Sequence, residues 1–253
     1  MKTRTFHDLH HGERPLLLPN VWSFASGAAM VEAGFPAVGT TSLGVAATAG
    51  KPDAAGGTRA ETLALARGLA RLPVPVTIDV EAGFSDRPEE VAALAADLAS
   101  WGIAGVNIED GRPGGVLAPP DDQCALITAV KAAAPDLFVN ARTDCHWLPG
   151  HTAQTLDRVR AYTEAGADGI FVPGLAGETG VRAAVAATHL PLNVLFLPGG
   201  ATFDELAAMG VRRVSYGSLL YRTALHAAVV TAVEGRAPAG IPTYDDVQRL
   251  VSA

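Results

Sequence analysis

One phrase returns four times along this chain, and it limits the possible folds more than any other feature. A-G-F-P-A-V-G-T-T begins at Ala33, W-G-I-A-G-V-N-I-E-D at Trp101, A-G-A-D-G-I-F-V-P at Ala165 and M-G-V-R-R-V-S-Y-G at Met209. Each follows an Ala-rich helical stretch. Each places Gly where a helix C-terminus takes a left-handed residue, then runs into a short apolar strand. This is the helix–Gly–strand half of a βα unit, repeated. Filling the intervals predicts eight strands, near Leu16–Pro19, Ala37–Thr41, Val74–Val80, Gly105–Glu109, Phe138–Ala141, Gly169–Val172, Leu192–Leu197 and Arg213–Tyr216. Helices are expected between them, for example over Pro88–Ser100, Gln123–Ala134, Thr152–Ala165 and Thr202–Met209. Strands that alternate with helices form a parallel sheet, because parallel neighbours need a crossover. Eight units in roughly 220 residues predict an α/β chain closed into a (β/α)8, or TIM, barrel. An open doubly wound sheet is the alternative, but no G-x-G-x-x-G loop follows the first strand to support it.

The 253 residues read as one barrel domain, 1–253, with 236–253 as a C-terminal helical extension. P-A-G-I-P after Arg236 breaks the last barrel helix, and Thr243 caps a short helix that opens with Asp245 and Asp246. At 49% hydrophobic and 18% charged residues, the composition is that of a soluble globular protein with ample core material. A formal net charge of −7 argues against nucleic acid or an anionic membrane as partner. Cys124 and Cys145 make neither a disulfide framework nor a zinc pattern. The N-terminus lacks the apolar centre of a signal peptide, and no apolar run approaches the ~20 residues that span a bilayer. A cytoplasmic protein is expected.

In such a barrel the C-terminal ends of the strands face the active-site mouth. Those ends carry Asp79 and Glu81 on the third strand, Asn107 and Glu109 on the fourth, and Asn140 and Arg142 on the fifth. Residues i and i+2 on a strand share a face, so Asp79 and Glu81 are expected side by side with Glu109 in reach. Gathering three carboxylates costs several kcal/mol per buried ion. A hard divalent cation relieves both repulsion and lost hydration, which makes Asp79, Glu81 and Glu109 the candidate metal site for Mg²⁺, or Mn²⁺ in its place. The competing reading of such acids is helix capping or pairing with an arginine. Asp110 and Asp144 are expected on the opposite face, in structural salt bridges.

These residues also carry a resemblance. P-N-V-W (Pro19–Trp22), G-T-T-S-L-G-V-A-A (Gly39–Ala47), G-K-P-D (Gly50–Asp53), D-V-E-A-G-F (Asp79–Phe84), G-V-N-I-E-D (Gly105–Asp110) and N-A-R-T-D (Asn140–Asp144) occur in an order similar to that of the isocitrate lyase/phosphoenolpyruvate mutase superfamily. The resemblance implies a (β/α)8 barrel, commonly a homotetramer with the last helix exchanged between subunits. It implies that Asp79, Glu81 and Glu109 hold Mg²⁺ directly or through water, with Asp53 near the metal waters. Arg142 looks like the arginine that binds the substrate carboxylate and its developing oxyanion. Thr41, Ser42 and Leu43 resemble the cradle for a 2-oxo-carboxylate, Trp22 a pocket-lining position, and Asn193 a position that helps close the pocket.

The chain also departs from the family. Where isocitrate and methylisocitrate lyases carry a K-[KR]-C-G-H loop, this chain has G-R-P-G-G-V-L-A-P-P-D-D-Q, Gly111–Gln123. Where they place Glu after strand six, F-V-P-G-L leaves Gly174. The expectation is therefore a Mg²⁺-dependent enzyme that cleaves or rearranges a C–C or C–P bond at C3 of a small 2-oxo acid. Charge moves onto the keto oxygen as an enolate, where metal and Arg142 stabilise it. Asp53 and His146 are the candidate acid or base, and the Gly111–Pro120 loop is a candidate lid. Two other readings stand beside it: a non-catalytic oxo-acid-binding relative, and a phosphate-binding biosynthetic barrel gripping through Leu197–Gly200 and Tyr216–Ser218.

Overall fold

The computed structural model describes residues 1–252. Its strands are β1 (Leu16–Leu18), β2 (Asn20–Val21), β3 (Val38–Thr40), β4 (Val76–Asp79), β5 (Gly105–Glu109), β6 (Gly111–Arg112), β7 (Val116–Leu117), β8 (Phe138–Arg142), β9 (Gly169–Phe171), β10 (Leu192–Leu195) and β11 (Arg213–Ser215). All but β6 and β7 join one parallel sheet in the order β1-β11-β10-β9-β8-β5-β4-β3-β2. β1 and β2 are two pieces of one stave, parted at Pro19, which has no N–H to give a ladder. The lower piece pairs with β11 and the upper with β3, while the Pro19 carbonyl still accepts from Gly39 N at 3.0 Å. The nine segments thus make eight staves around a barrel, as the repeated phrase predicts. β6 and β7 form a separate antiparallel hairpin within the expected lid.

The helices are α1 (Lys2–Leu9), α2 (Phe24–Glu32), α3 (Ser42–Thr48), α4 (Arg59–Leu69), α5 (Pro88–Ser100), α6 (Pro120–Ala133), α7 (Thr155–Glu164), α8 (Glu178–Ala186), α9 (Phe203–Ala208), α10 (Leu219–Glu234) and α11 (Tyr244–Val251). α5 shows why they form. Pro88 sets the first turn, and Glu89 and Glu90 meet the positive end of the helix. Val91, Leu94, Ala95 and Leu98 recur at helical spacing and are buried against the staves. The Gly of each repeated phrase then stops its helix: Gly34, Gly102, Gly166 and Gly210 all have φ between 86° and 96°.

The main core lies between staves and helices. A smaller one closes the N-terminal mouth of the barrel, where α1 sets Phe6 5.3 Å from the Phe138 ring and stacks His10 on it at 4.1 Å. This plug leaves the C-terminal mouth as the open end. At the far end of the chain, α11 docks on α2, with Arg249 paired to Glu32 and Leu250 against the core. Among the described residues no helix is long and apolar enough to cross a membrane.

Candidate active site

At the C-terminal mouth, one guanidinium is ringed by acids. Arg142 ends β8 and is only 14% exposed in its side chain. Its Nε donates to Asp144 Oδ1 at 2.6 Å. Its Nη1 stands 2.7 Å from Glu109 Oε2, out of line for a hydrogen bond, and 4.0 Å from Asp79 Oδ2. Parallel pairing explains this meeting, since Glu109 sits opposite Arg142 in register, and Asp79 opposite Asn107 one turn of pleat lower. Thr40 Oγ1 accepts from Asp79 N at 2.8 Å and fixes the end of β4.

Three acids share that one cation, so burial outweighs pairing. Desolvation pushes the Asp79 carboxyl up to about 6, with Arg142 opposing and Asp53 adding to the rise. Burial likewise holds Glu109 well above the usual carboxylate range, and raises Asp144. Burial alone would lower Arg142, yet the Glu109, Asp144 and Asp79 carboxylates hold it above its ordinary value. A desolvated acidic cluster of this kind favours a further positive charge.

Glu81 stands apart from that ring. β4 ends at Asp79, and Glu81 has φ of 51°, so the two-residue period of a strand no longer governs where it points. Its carboxylate accepts from Thr58 Oγ1 at 2.5 Å and from Gly56 N at 3.0 Å, which ties down the loop that carries Asp53. Asp79 and Glu109 are therefore brought together around Arg142, and Glu81 shares a separate flank of the mouth with Glu109. No three His, Cys, Asp or Glu side chains among the described residues converge as a ready cage. The donor set still fits a hard divalent ion. Glu109 Oε2 is buried and accepts no hydrogen bond, and Asp79 and Glu109 supply carboxylate oxygens only. An ion held by two such groups completes its shell with water and substrate oxygens, as Mg²⁺ commonly does.

A cavity of about 140 Å³, open at its mouth, runs from Asp79 and Arg142 outward. Ser42 and Leu43 line it from the first turn of α3, where amides lack intrahelical acceptors and suit an anion. Thr41, at the N-cap, and exposed Asp53 also line it. Trp22 does not; it packs edge-on to Tyr221 at 5.2 Å, behind α3. Asn193 lies one step deeper in the barrel, 1% exposed, where its Oδ1 accepts from Ser215 Oγ at 3.0 Å. The phosphate-grip reading finds the amides of Tyr216 and Gly217 already donating to Asn20 Oδ1, at 2.9 and 2.8 Å.

Asp144 corrects the opposite-face expectation. β8 stops at Arg142, and the turn beyond it returns Asp144 to the same side, where it orients the arginine. Asp110 does take the structural role. It is fully buried outside the barrel lumen, with Arg158 Nη1 donating at 3.0 Å and Tyr162 OH at 2.7 Å. Trp147, in the loop five residues past the end of β8, is not among the residues expected from the sequence, yet it lines the cavity and is 58% exposed.

Fold and site together define a (β/α)8 protein with a buried carboxylate–arginine cluster at its open mouth. A family model described as phosphoenolpyruvate phosphomutase matches residues 6–235. An uncharacterized protein of Mycobacterium tuberculosis (strain ATCC 25618 / H37Rv) is 41% identical over 98% of this chain and 96% of its own length. The 2-methylisocitrate lyase of Bacillus subtilis (strain 168) is 32% identical over 78% of this chain and 69% of its own. A crystal structure from Burkholderia cenocepacia J2315, provisionally called a phosphonomutase, superposes with a TM-score of 0.86 at 38% identity, covering 93% of this chain and 99% of the other. The chain belongs to the phosphoenolpyruvate phosphomutase family, within the isocitrate lyase/phosphoenolpyruvate mutase superfamily that its motifs resemble.

Proposed function

We propose that this chain is a Mg²⁺-dependent enzyme that cleaves or rearranges a C–C or C–P bond at C3 of a small 2-oxo or related carboxylic acid, through an enolate. The observation that carries this reading is the cluster of Asp79, Glu109 and Asp144 around Arg142 at the open end of the barrel. Relatives named lyase and phosphonomutase support it. Asp79 and Glu109 would hold the ion, while Glu81 on the separate flank anchors the loop that carries Asp53. When bound, the ion would polarise the keto group and take up part of the charge that bond breaking delivers there.

The protein's own groups do the rest. Asp144 accepts from Nε of Arg142 and Glu109 lies against Nη1 as an ion pair, while Nη2 makes no hydrogen bond among the described residues and would be available to a substrate oxygen. A donor fixed this way stabilises developing negative charge without reorganising. The first turn of α3 at Ser42 and Leu43, beside Thr41, would receive the substrate carboxylate. Asp53, which lines the cavity on the loop that Glu81 anchors, would move a proton at the cavity mouth. The exposed apolar side chains of α10 support a homo-oligomer, a dimer or tetramer, and the composition suits a cytoplasmic enzyme.

The test is turnover of a panel of 2-oxo and 2-hydroxy acids, followed by release of the 2-oxo product with Mg²⁺ or with chelator. Activity should require the metal, and Arg142→Gln should lower kcat/KM by about 10²–10³-fold. Turnover indifferent to both changes would refute the proposal.

A further inference from the structure

The cavity has one apolar wall, set between the arginine of β8 and the polar residues Ser215, Tyr216 and Ser218 that follow from β11. In the ring of eight staves, Asp79, Glu109 and Arg142 stand on the adjacent staves β4, β5 and β8, with the start of α3 beside them. Continuing round, β9 and β10 deliver Phe171, Pro173, Leu195 and Leu197 to the same cavity, and β10 stands diametrically opposite β4. The apolar wall begins where the arginine ends, since the Arg142 guanidinium carbon lies 5.7 Å from the Phe171 ring centroid.

Local sequence explains why this wall carries no polar grip. Along L-N-V-L-F-L, Asn193 and Leu195 share the inward face. Asn193 bonds to Ser215 in the deeper layer, so the inward side chain that reaches the cavity is Leu195. After β9, Gly174 has φ of 78°, and a Cβ there would come 2.9 Å from the His146 carbonyl oxygen. A polar side chain at that position is therefore excluded unless the His146 backbone moves. Among the described residues, the cations lining the cavity are Arg142 and Arg222, and Arg222 is exposed at the rim on α10, where water screens it. A second carboxylate next to C3 would lie on Phe171 and Leu195, where the wall supplies no cation to pair with it.

We infer that the site selects, over dicarboxylates, 2-oxo monocarboxylates in which C3 carries an apolar 1-hydroxyalkyl group, aliphatic or aryl-bearing. Breaking the C3–C4 bond leaves its electron pair in the enolate and releases an apolar aldehyde as the C4 hydroxyl gives up its proton. The unreactive 2-oxo acids used below probe the same wall. Phe171, Leu195 and Leu197 set that choice. The inference rests on the oxo-acid reading above, because Arg142 and the α3 turn must hold the charged end for the substituent to meet the opposite wall. Trp147 at the rim extends the apolar surface toward solvent.

Calorimetric titration of the full chain with Mg²⁺ present tests it, using pyruvate, 4-methyl-2-oxopentanoate, phenylpyruvate, 2-oxoglutarate and 3,3-difluorooxaloacetate. The two apolar acids should bind at least tenfold tighter than pyruvate, and the two dicarboxylates no tighter than pyruvate. A dicarboxylate that binds as tightly as the apolar pair overturns the inference and leaves the oxo-acid reading standing. No binding by any of the five, pyruvate included, sinks that reading and the inference with it. Leu195→Ser and Leu197→Ser should bring the ratio of phenylpyruvate to pyruvate affinity toward one. An unchanged ratio in both variants overturns the assignment of the wall.

Discussion

His10 shows at the level of one residue how burial sets chemistry in this protein. It is 2% exposed, and its Nδ1 meets the Phe6 carbonyl at 2.7 Å. A carbonyl only accepts, so Nδ1 carries the proton and Nε2 presents a lone pair to the interior. Burial first, and the nearby Arg213 charge second, push the imidazole down to about 3. An unfolded His titrates near 6.5, so between these values the unfolded chain binds a proton that the native chain refuses. Stability should therefore fall as pH drops below 6.5, with this residue contributing a loss of about 2 kcal/mol by pH 5. Urea melts at pH 7 and pH 5 check it: His10→Gln should lose less stability on acidification by about that amount. Parallel losses in both proteins would contradict the assignment. At the mouth burial likewise disfavours the charged form, which for Asp79 and Glu109 means a raised carboxyl that the shared Arg142 only partly offsets.

Among the elements, the hairpin of β6 and β7 is mounted on a buried polar junction. Asp110 Oδ1 accepts from Asp144 N at 2.8 Å, and its Oδ2 accepts from Arg158 and Tyr162. Arg158 Nη1 also donates to Ala118 O at 2.9 Å, at the hairpin's far end. One carboxylate thus ties the turn that orients Arg142 to the base of the candidate lid. Asp110→Asn leaves Arg158 buried without its counter-charge, and should cost about 3–5 kcal/mol in a denaturant melt, against about 1 kcal/mol for Tyr162→Phe. Equal, small effects would contradict the junction. The staves themselves were legible because a helix-stopping Gly followed by an apolar run is local chemistry, and β5 spans Gly105–Glu109 as read from the sequence. Other features depend on where periodicity ends. The third stave closes at Asp79 because Glu81 turns to positive φ, and Asp144 returns to Arg142 through a turn. The acids and Arg142 stood out as polar residues at the ends of apolar strands. Phe171 and Leu195 did not, because a cavity wall and a core are written in the same residues.

Across the whole molecule, α10 is the element out of balance. It is the eighth helix of the barrel, yet only Tyr221 is buried, while Leu225, Val229 and Val233 are 50%, 61% and 81% exposed. Apolar side chains in that number on one helix mark a surface meant to be covered. Sedimentation at micromolar concentration should give a dimer or tetramer, and Leu225→Glu with Val229→Glu should shift it toward monomer; a wild-type monomer would contradict the reading. The proposed site lies at the open mouth of the barrel, where Asp79, Glu109 and Asp144 surround Arg142. A crystal grown with Mg²⁺ and oxalate addresses it most directly. The account predicts the ion against Asp79 and Glu109, with an oxalate oxygen on Arg142. Oxalate bound elsewhere, with Arg142 still against Glu109 and no ion between the acids, would contradict it.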